Sequence, residues 1–87
     1  MLPAELNEAL ALAEAAGSVR EAAAGLRARF APLRVVVVDS FDMREETPAA
    51  SGAHRQLYLA ASDGHCWTVT ADPANAAGLY IAERGAP

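Results

Sequence analysis

The chain has 87 residues, 53% of them hydrophobic and 21% charged, with 11 acids against seven basic residues and a single cysteine. A chain of this length forms one small domain that buries roughly two-thirds of its unfolded surface, which excludes a two-domain enzyme with an internal cleft. The apolar excess excludes disorder, and the net charge of −4 argues against a general grip on nucleic acid or anionic membrane, both of which need clustered positive charge.

Alanine fills 22 positions, and every basic residue is arginine. Alanine buries little area, so the core depends on a limited set of Leu, Val, Ile and aromatic side chains, and oligomerisation would add to its stability. One cysteine cannot form an internal disulfide, and the N-terminal sequence has no basic stretch followed by an apolar run of signal-peptide type. A cytoplasmic location is therefore expected. The longest aliphatic run, Val35 to Val38, is far too short to span a bilayer.

Residues 3–16 read as a helix, with Pro3 in the first turn and Leu2, Leu6, Leu10 and Ala13 on one stripe. Leu12 falls off that stripe, and is either the edge of a broad core face or a small contact point for a partner. Gly17 is expected as a left-handed stop, and Ser18 with Glu21 forms an S-x-x-E capping box for a second helix. Val19, Ala22, Ala23, Leu26 and Phe30 give that helix its apolar stripe, and Ala31-Pro32 ends it. From Arg34 a β-branched run, Val35 to Val38, predicts a strand with apolar residues on both faces, the pattern of a central strand.

Residues 39–53 carry four acids against one arginine and read as a long mobile loop. Two strands, within 54–61 and 65–71, then flank Asp63-Gly64, the strongest short hairpin signal in the chain. Asp72-Pro73 opens a short turn, and residues 79–82 form a last strand. The expected fold is a single α+β domain over 1–87. In it a helical hairpin (3–30) packs on an antiparallel sheet of about four strands (33–83), as a two-layer sandwich.

With Asp63 and Gly64 at the centre of the turn, Leu57 pairs with Thr70, Leu59 with Thr68 and Ala61 with Cys66 on one face. Tyr58 with Val69 and Ala60 with Trp67 lie on the other. Two short helices cover one side of such a sheet, so the other keeps an apolar patch. Either face suits the helices. If they take the aliphatic side, Tyr58, Trp67 and Val69 form a platform for a partner, with Asp42, Glu45 and Glu46 on the loop steering a basic protein towards it. The partner is then a second copy of the chain or another protein with a basic surface.

Other constellations carry less. Ser62-Asp63-Gly64-His65-Cys66 holds the residue types of a nucleophilic triad, but a hairpin tip offers neither a sheltered cleft nor an oxyanion hole. Asp63 is the turn residue there and Cys66 a small buried side chain. The expectation is a non-catalytic protein without a cofactor. A metal- or ligand-binding site built on His54, His65 and Cys66 is the alternative, although no C-x-x-C or H-x3-H spacing supports it. Residues 9–30 resemble the first two helices of bacterial winged-helix regulators. A strand follows where those proteins place their recognition helix, so DNA binding is not expected.

Ser62, Gly64, His65, Cys66, Thr70, Asp72, Pro73, Ala76, Gly78 and Leu79 together resemble the S-x-G-H-C-x-x-x-T-x-D-P-x-x-A-x-G-L stretch of a family of short bacterial proteins associated with nitrogen-fixation gene clusters. The resemblance covers about a third of the chain. It implies an accessory role around nitrogenase or its maturation and carries over no catalytic residue.

Overall fold

A computed structural model describes residues 2–84; residues 1 and 85–87 of the expected domain lie outside it. Two helices, α1 (Pro3–Ala15) and α2 (Val19–Arg29), precede strands β1 (Arg34–Val37), β2 (Ala50–Ser51), β3 (Arg55–Ser62), β4 (Trp67–Thr70) and β5 (Gly78–Glu83). A single 3-10 turn, Pro73–Asn75, separates β4 from β5, capped by Asp72, whose carboxylate accepts the Ala74 N–H at 3.0 Å. The expected α+β fold with N-terminal helices is therefore present.

The sheet is mixed, which corrects the expectation of a purely antiparallel one. Its order is β1-β5-β3-β2, with β4 also paired to β3. A simple meander would lay β5 beside β4. Instead, residues 71–77 carry the chain across β3 on the helix side, where Ala76 packs on the core and the Ala77 N–H donates to the Ala60 carbonyl at 2.8 Å. Strand β5 thus lies on the other side of β3, antiparallel to it, and β1 pairs with β5 in parallel. The double-sided valine run is consequently an edge strand, not a central one: Val35 is buried and Val37 exposed.

The helix hairpin covers the aliphatic face. Leu57, Leu59, Leu79 and Ile81 are fully buried against Ala9, Ala13, Ala22, Ala23 and Leu26. Alanines at these helix positions let the axes approach the sheet closely, which is how an alanine-rich chain closes a core with few large side chains. Leu12 belongs to the core rim, and its methyl group would lie 2.9 Å from a Cβ at Gly25, so the glycine makes room for it between the helices. Leu2, by contrast, is exposed.

The helix junction follows the capping box in part. Ser18 Oγ accepts the Glu21 N–H at 3.1 Å, but the Glu21 carboxylate reaches the N–H of Gly17 rather than that of Ser18. Gly17 is not left-handed, since the only positive φ among the described residues is at Gly64. A Cβ at Gly17 would stand 2.8 Å from the Glu21 carboxylate, so glycine gives the carboxylate space.

The hairpin register is also shifted. Leu59 pairs with Thr70, Ala60 with Val69, Ala61 with Thr68 and Ser62 with Trp67. The turn centres on Gly64 and His65, with Gly64 at φ +97°, because a turn with one positive φ at its first central residue needs glycine only there. Asp63 moves to the entry of the turn, where its carboxylate accepts the His65 and Cys66 N–H groups at 2.9 and 2.8 Å. A shift of two residues keeps every side chain on its expected face. It does take Cys66 out of the ladder, so the cysteine is exposed and not the small buried side chain expected.

Candidate functional site

Because β1 lies at one edge of the sheet and β2 at the other, the segment between them must cross a face, and the helices leave it only the second one. Residues 38–49 take that path. The segment folds into successive turns, with N–H···O bonds from Met43 to Ser40, Arg44 to Phe41 and Glu46 to Met43. Met43 is buried on Tyr58 and Ala82, with Val38, Val69 and Tyr80 around it. The expected mobile loop is thus a strap held by one methionine.

This changes the expected platform. Tyr58 is only 2% exposed and sits beneath the strap, with its hydroxyl donating to Gln56 Oε1 at 3.1 Å, so it is no exposed contact residue. Burial, then the charge of Glu46 nearby, pushes its phenol above the ordinary tyrosine pKa. Val69 is half-buried and Trp67 is 39% exposed.

Shallow depressions border the strap. One, of about 480 Å³, opens at the sheet edge between the end of β4 and the start of β2, and is lined by Glu45, Glu46, Pro48, Val69, Thr70 and, from α1, Leu6 among others. The structure therefore brings two loop acids and one sheet residue of the expected site together. A second depression, of about 540 Å³, joins Glu46 to Tyr58, Met43 and Phe41. Asp42 is exposed and lines neither.

Trp67 belongs to a separate groove of about 250 Å³ with Arg34, Val36, Val38, Gly78 and Tyr80. Its ring lies 5.9 Å from the Arg34 guanidinium and covers Gly78, where a Cβ would stand 3.2 Å from the indole. Sequence reasoning missed Arg34, Val36, Val38 and Tyr80 as lining residues, because the parallel β1–β5 pairing that aligns them leaves no local signal.

The histidines and the cysteine do not converge. His54 precedes β3 and His65 follows it, so eight residues of extended chain, roughly 25 Å, separate them. No group of three potential metal ligands occurs among the described residues. The Asp63 carboxylate, held below the ordinary range by the Cys66 and His65 N–H groups, serves the turn rather than a triad.

Comparison of the chain with protein-family models, curated proteins and solved structures gives no match. The residues of the nitrogen-fixation resemblance have local structural tasks here. Gly64 makes the turn, Asp72 caps the 3-10 turn and Gly78 lies beneath Trp67.

Proposed function

We propose that this protein is a non-catalytic interaction module that receives a basic, partly apolar segment of another protein in the depression between the strap and the sheet. One observation carries the reading: the strap sets Glu45 and Glu46 on the rim of the same depression that Val69 lines. A carboxylate pair beside an apolar floor complements an extended or helical segment that alternates Arg or Lys with Leu or Val. The charges set orientation and encounter rate, and the floor supplies burial. The resemblance to proteins of nitrogen-fixation clusters supports an accessory role in that setting.

The test uses the isotope-labelled protein and a synthetic peptide of alternating Arg and Leu. Amide resonances of Glu45, Glu46, Val69 and Thr70 are expected to shift on titration, to shift less at high salt, and to stop responding in the Glu45→Lys/Glu46→Lys variant. Shifts centred elsewhere, or titration unaffected by the charge reversal, would overturn the reading.

A further inference from the structure

The groove on the open side of β1 and β5 joins an apolar floor to an unpaired cation. Val36 and Val38 turn away from the helices, with Tyr80 beside Val36 and Gly78 beside Arg34 across the ladder. The strap covers Tyr58 and Ala82 through Met43 and reaches only as far as Val38 and Tyr80. Beyond it the groove stays open: Val36 is half-buried, Trp67 partly exposed and Arg34 exposed.

The charge on Arg34 is the informative part. Arg27, Arg29, Arg44, Arg55 and Arg84 each donate to a carbonyl or carboxylate of the protein. The Arg34 side chain makes no ion pair or hydrogen bond among the described residues, and its guanidinium lies 5.9 Å from the centre of the Trp67 ring. Arg20 is also unpaired there, but it stands on the exposed side of α2, outside the groove. The chain holds 11 acids against seven basic residues, yet no acid lines this groove. A planar cation with all its N–H donors free thus stands at the rim of an apolar surface walled by two aromatic side chains.

We propose that this groove binds a small aromatic monocarboxylate, with the carboxylate on Arg34 and the ring against Trp67 over Val36. It lies apart from the Glu45–Val69 depression, shares no lining residue with it and does not rest on that reading. Its volume, about 250 Å³, is below the roughly 300–1,000 Å³ of sites for drug-sized ligands and suits one ring with a short acidic arm. One guanidinium neutralises one carboxylate and offers it two parallel N–H···O bonds, whereas a phosphate or nucleotide carries more charge than this site balances. The contact of Arg34 with Trp67 uses none of those donors. The apolar walls bury the body of the ligand, and an aromatic body adds the preference of the indole for stacking with another ring.

The test titrates isotope-labelled protein at neutral pH with phenylacetate, with its neutral analogue phenylacetamide and with acetate. Phenylacetate should shift the indole N–H of Trp67, the only tryptophan, and the amides of Val36 and Gly78. The shifts should saturate with a Kd of about 0.1–1 mM, the range for so small a ligand in a shallow site. Phenylacetamide and acetate should each bind about tenfold more weakly or worse, the first for want of the charge and the second for want of the ring. Arg34→Gln should lose about tenfold in phenylacetate affinity and leave the weak response to phenylacetamide unchanged. Its thermal transition should stay at that of wild type, since Arg34 is exposed, which separates lost binding from lost fold. Glu45→Lys/Glu46→Lys, which is expected to stop the basic peptide from binding, should leave the phenylacetate Kd within about twofold. Equal affinity for phenylacetate and phenylacetamide, an Arg34→Gln variant that binds phenylacetate as wild type does, or shifts that do not saturate by about 10 mM would each overturn the proposal.

Discussion

The Glu14 carboxylate, near the end of α1, accepts the backbone N–H of Arg55 at 2.6 Å and that of His54 at 3.0 Å, across some forty residues of chain. It closes over the turn between β2 and β3, where a Cβ at Gly52 would stand 2.5 Å from the carboxyl carbon. The first helix is thereby fixed to the sheet by a charge as well as by its alanine stripe. Beside it, the buried Arg55 reaches the Ala16 carbonyl at the end of α1 and pairs with Glu83 at 3.4 Å. A cation there also meets the negative end of the helix dipole.

Glu14 gives the first prediction. Its burial raises the pKa, but the N–H groups of His54, Arg55 and Ala53, together with the His54 charge, outweigh that and hold it below the ordinary glutamate value. The unfolded chain therefore takes up the proton at higher pH than the folded one, so the contribution of Glu14 is complete above the unfolded pKa and is lost as pH falls through the folded one. Glu14→Gln should melt lower than wild type at neutral pH, and the gap should close in acid. Asp63 titrates in the same direction in both proteins and cancels from the difference. A gap that stays constant with pH would show that the hydrogen-bond geometry, and not the charge, matters.

Met43 gives the second. It is the one strap side chain buried on the open face, and replacing it by alanine leaves a void over Tyr58 and Ala82. The expected loss is about 2–3 kcal/mol of unfolding free energy, at the lower end of large-to-alanine substitutions because the site lies at the surface. Trypsin should then cut after Arg44 sooner than after any arginine of the helices. In the wild type the Arg44 guanidinium donates to the Phe41 carbonyl at 2.8 Å and lies 4.1 Å from the Phe41 ring, within a closed turn.

The elements that the sequence made legible are those whose determinants are local. Pro3, Ser18 and the stripe from Ala22 to Phe30 mark the helices, and the alternation around Asp63-Gly64 marks the hairpin and assigns its faces correctly. What escaped depends on residues far apart. The parallel β1–β5 pairing follows from the path of residues 71–77 over β3, and the two-residue strand β2 is too short to carry a pattern of its own. The site divides in the same way. Charge and alternation point to Glu45, Glu46 and Val69, which share a depression. Tyr58 lies beneath the strap and not on an exposed platform, because nothing in the loop sequence identifies Met43 as the residue that covers it.

Gly64 tests the shifted register. At φ +97° it has open space around a Cβ, so alanine there is opposed by backbone conformation alone. Gly64→Ala should cost roughly 1–2 kcal/mol. An asparagine, which tolerates positive φ better, should cost less than alanine. Equal losses for the two would argue against a left-handed residue at this position.

Gly78 and Trp67 provide the last prediction, and here space decides. A Cβ at Gly78 would meet the backbone carbonyl oxygen of Arg34 at 2.8 Å as well as the indole at 3.2 Å. The indole can swing towards solvent, but the carbonyl belongs to the β1–β5 ladder, so alanine must push the two strands apart. Gly78→Ala should therefore destabilise by about 1–3 kcal/mol, the range for overpacking a closed contact. Trp67→Ala removes a side chain already 39% exposed and should cost about 1–2 kcal/mol. Trp67 is the only tryptophan, so its emission reports this site alone. In Gly78→Ala the emission should move towards that of a solvated indole before the protein unfolds. The double variant Gly78→Ala/Trp67→Ala should cost nearly as much as Gly78→Ala plus Trp67→Ala, since the Arg34 carbonyl clash remains after the indole has gone. A double variant no less stable than Trp67→Ala alone would place the obstruction in the indole, and would mean that the β1–β5 spacing can absorb the added methyl group.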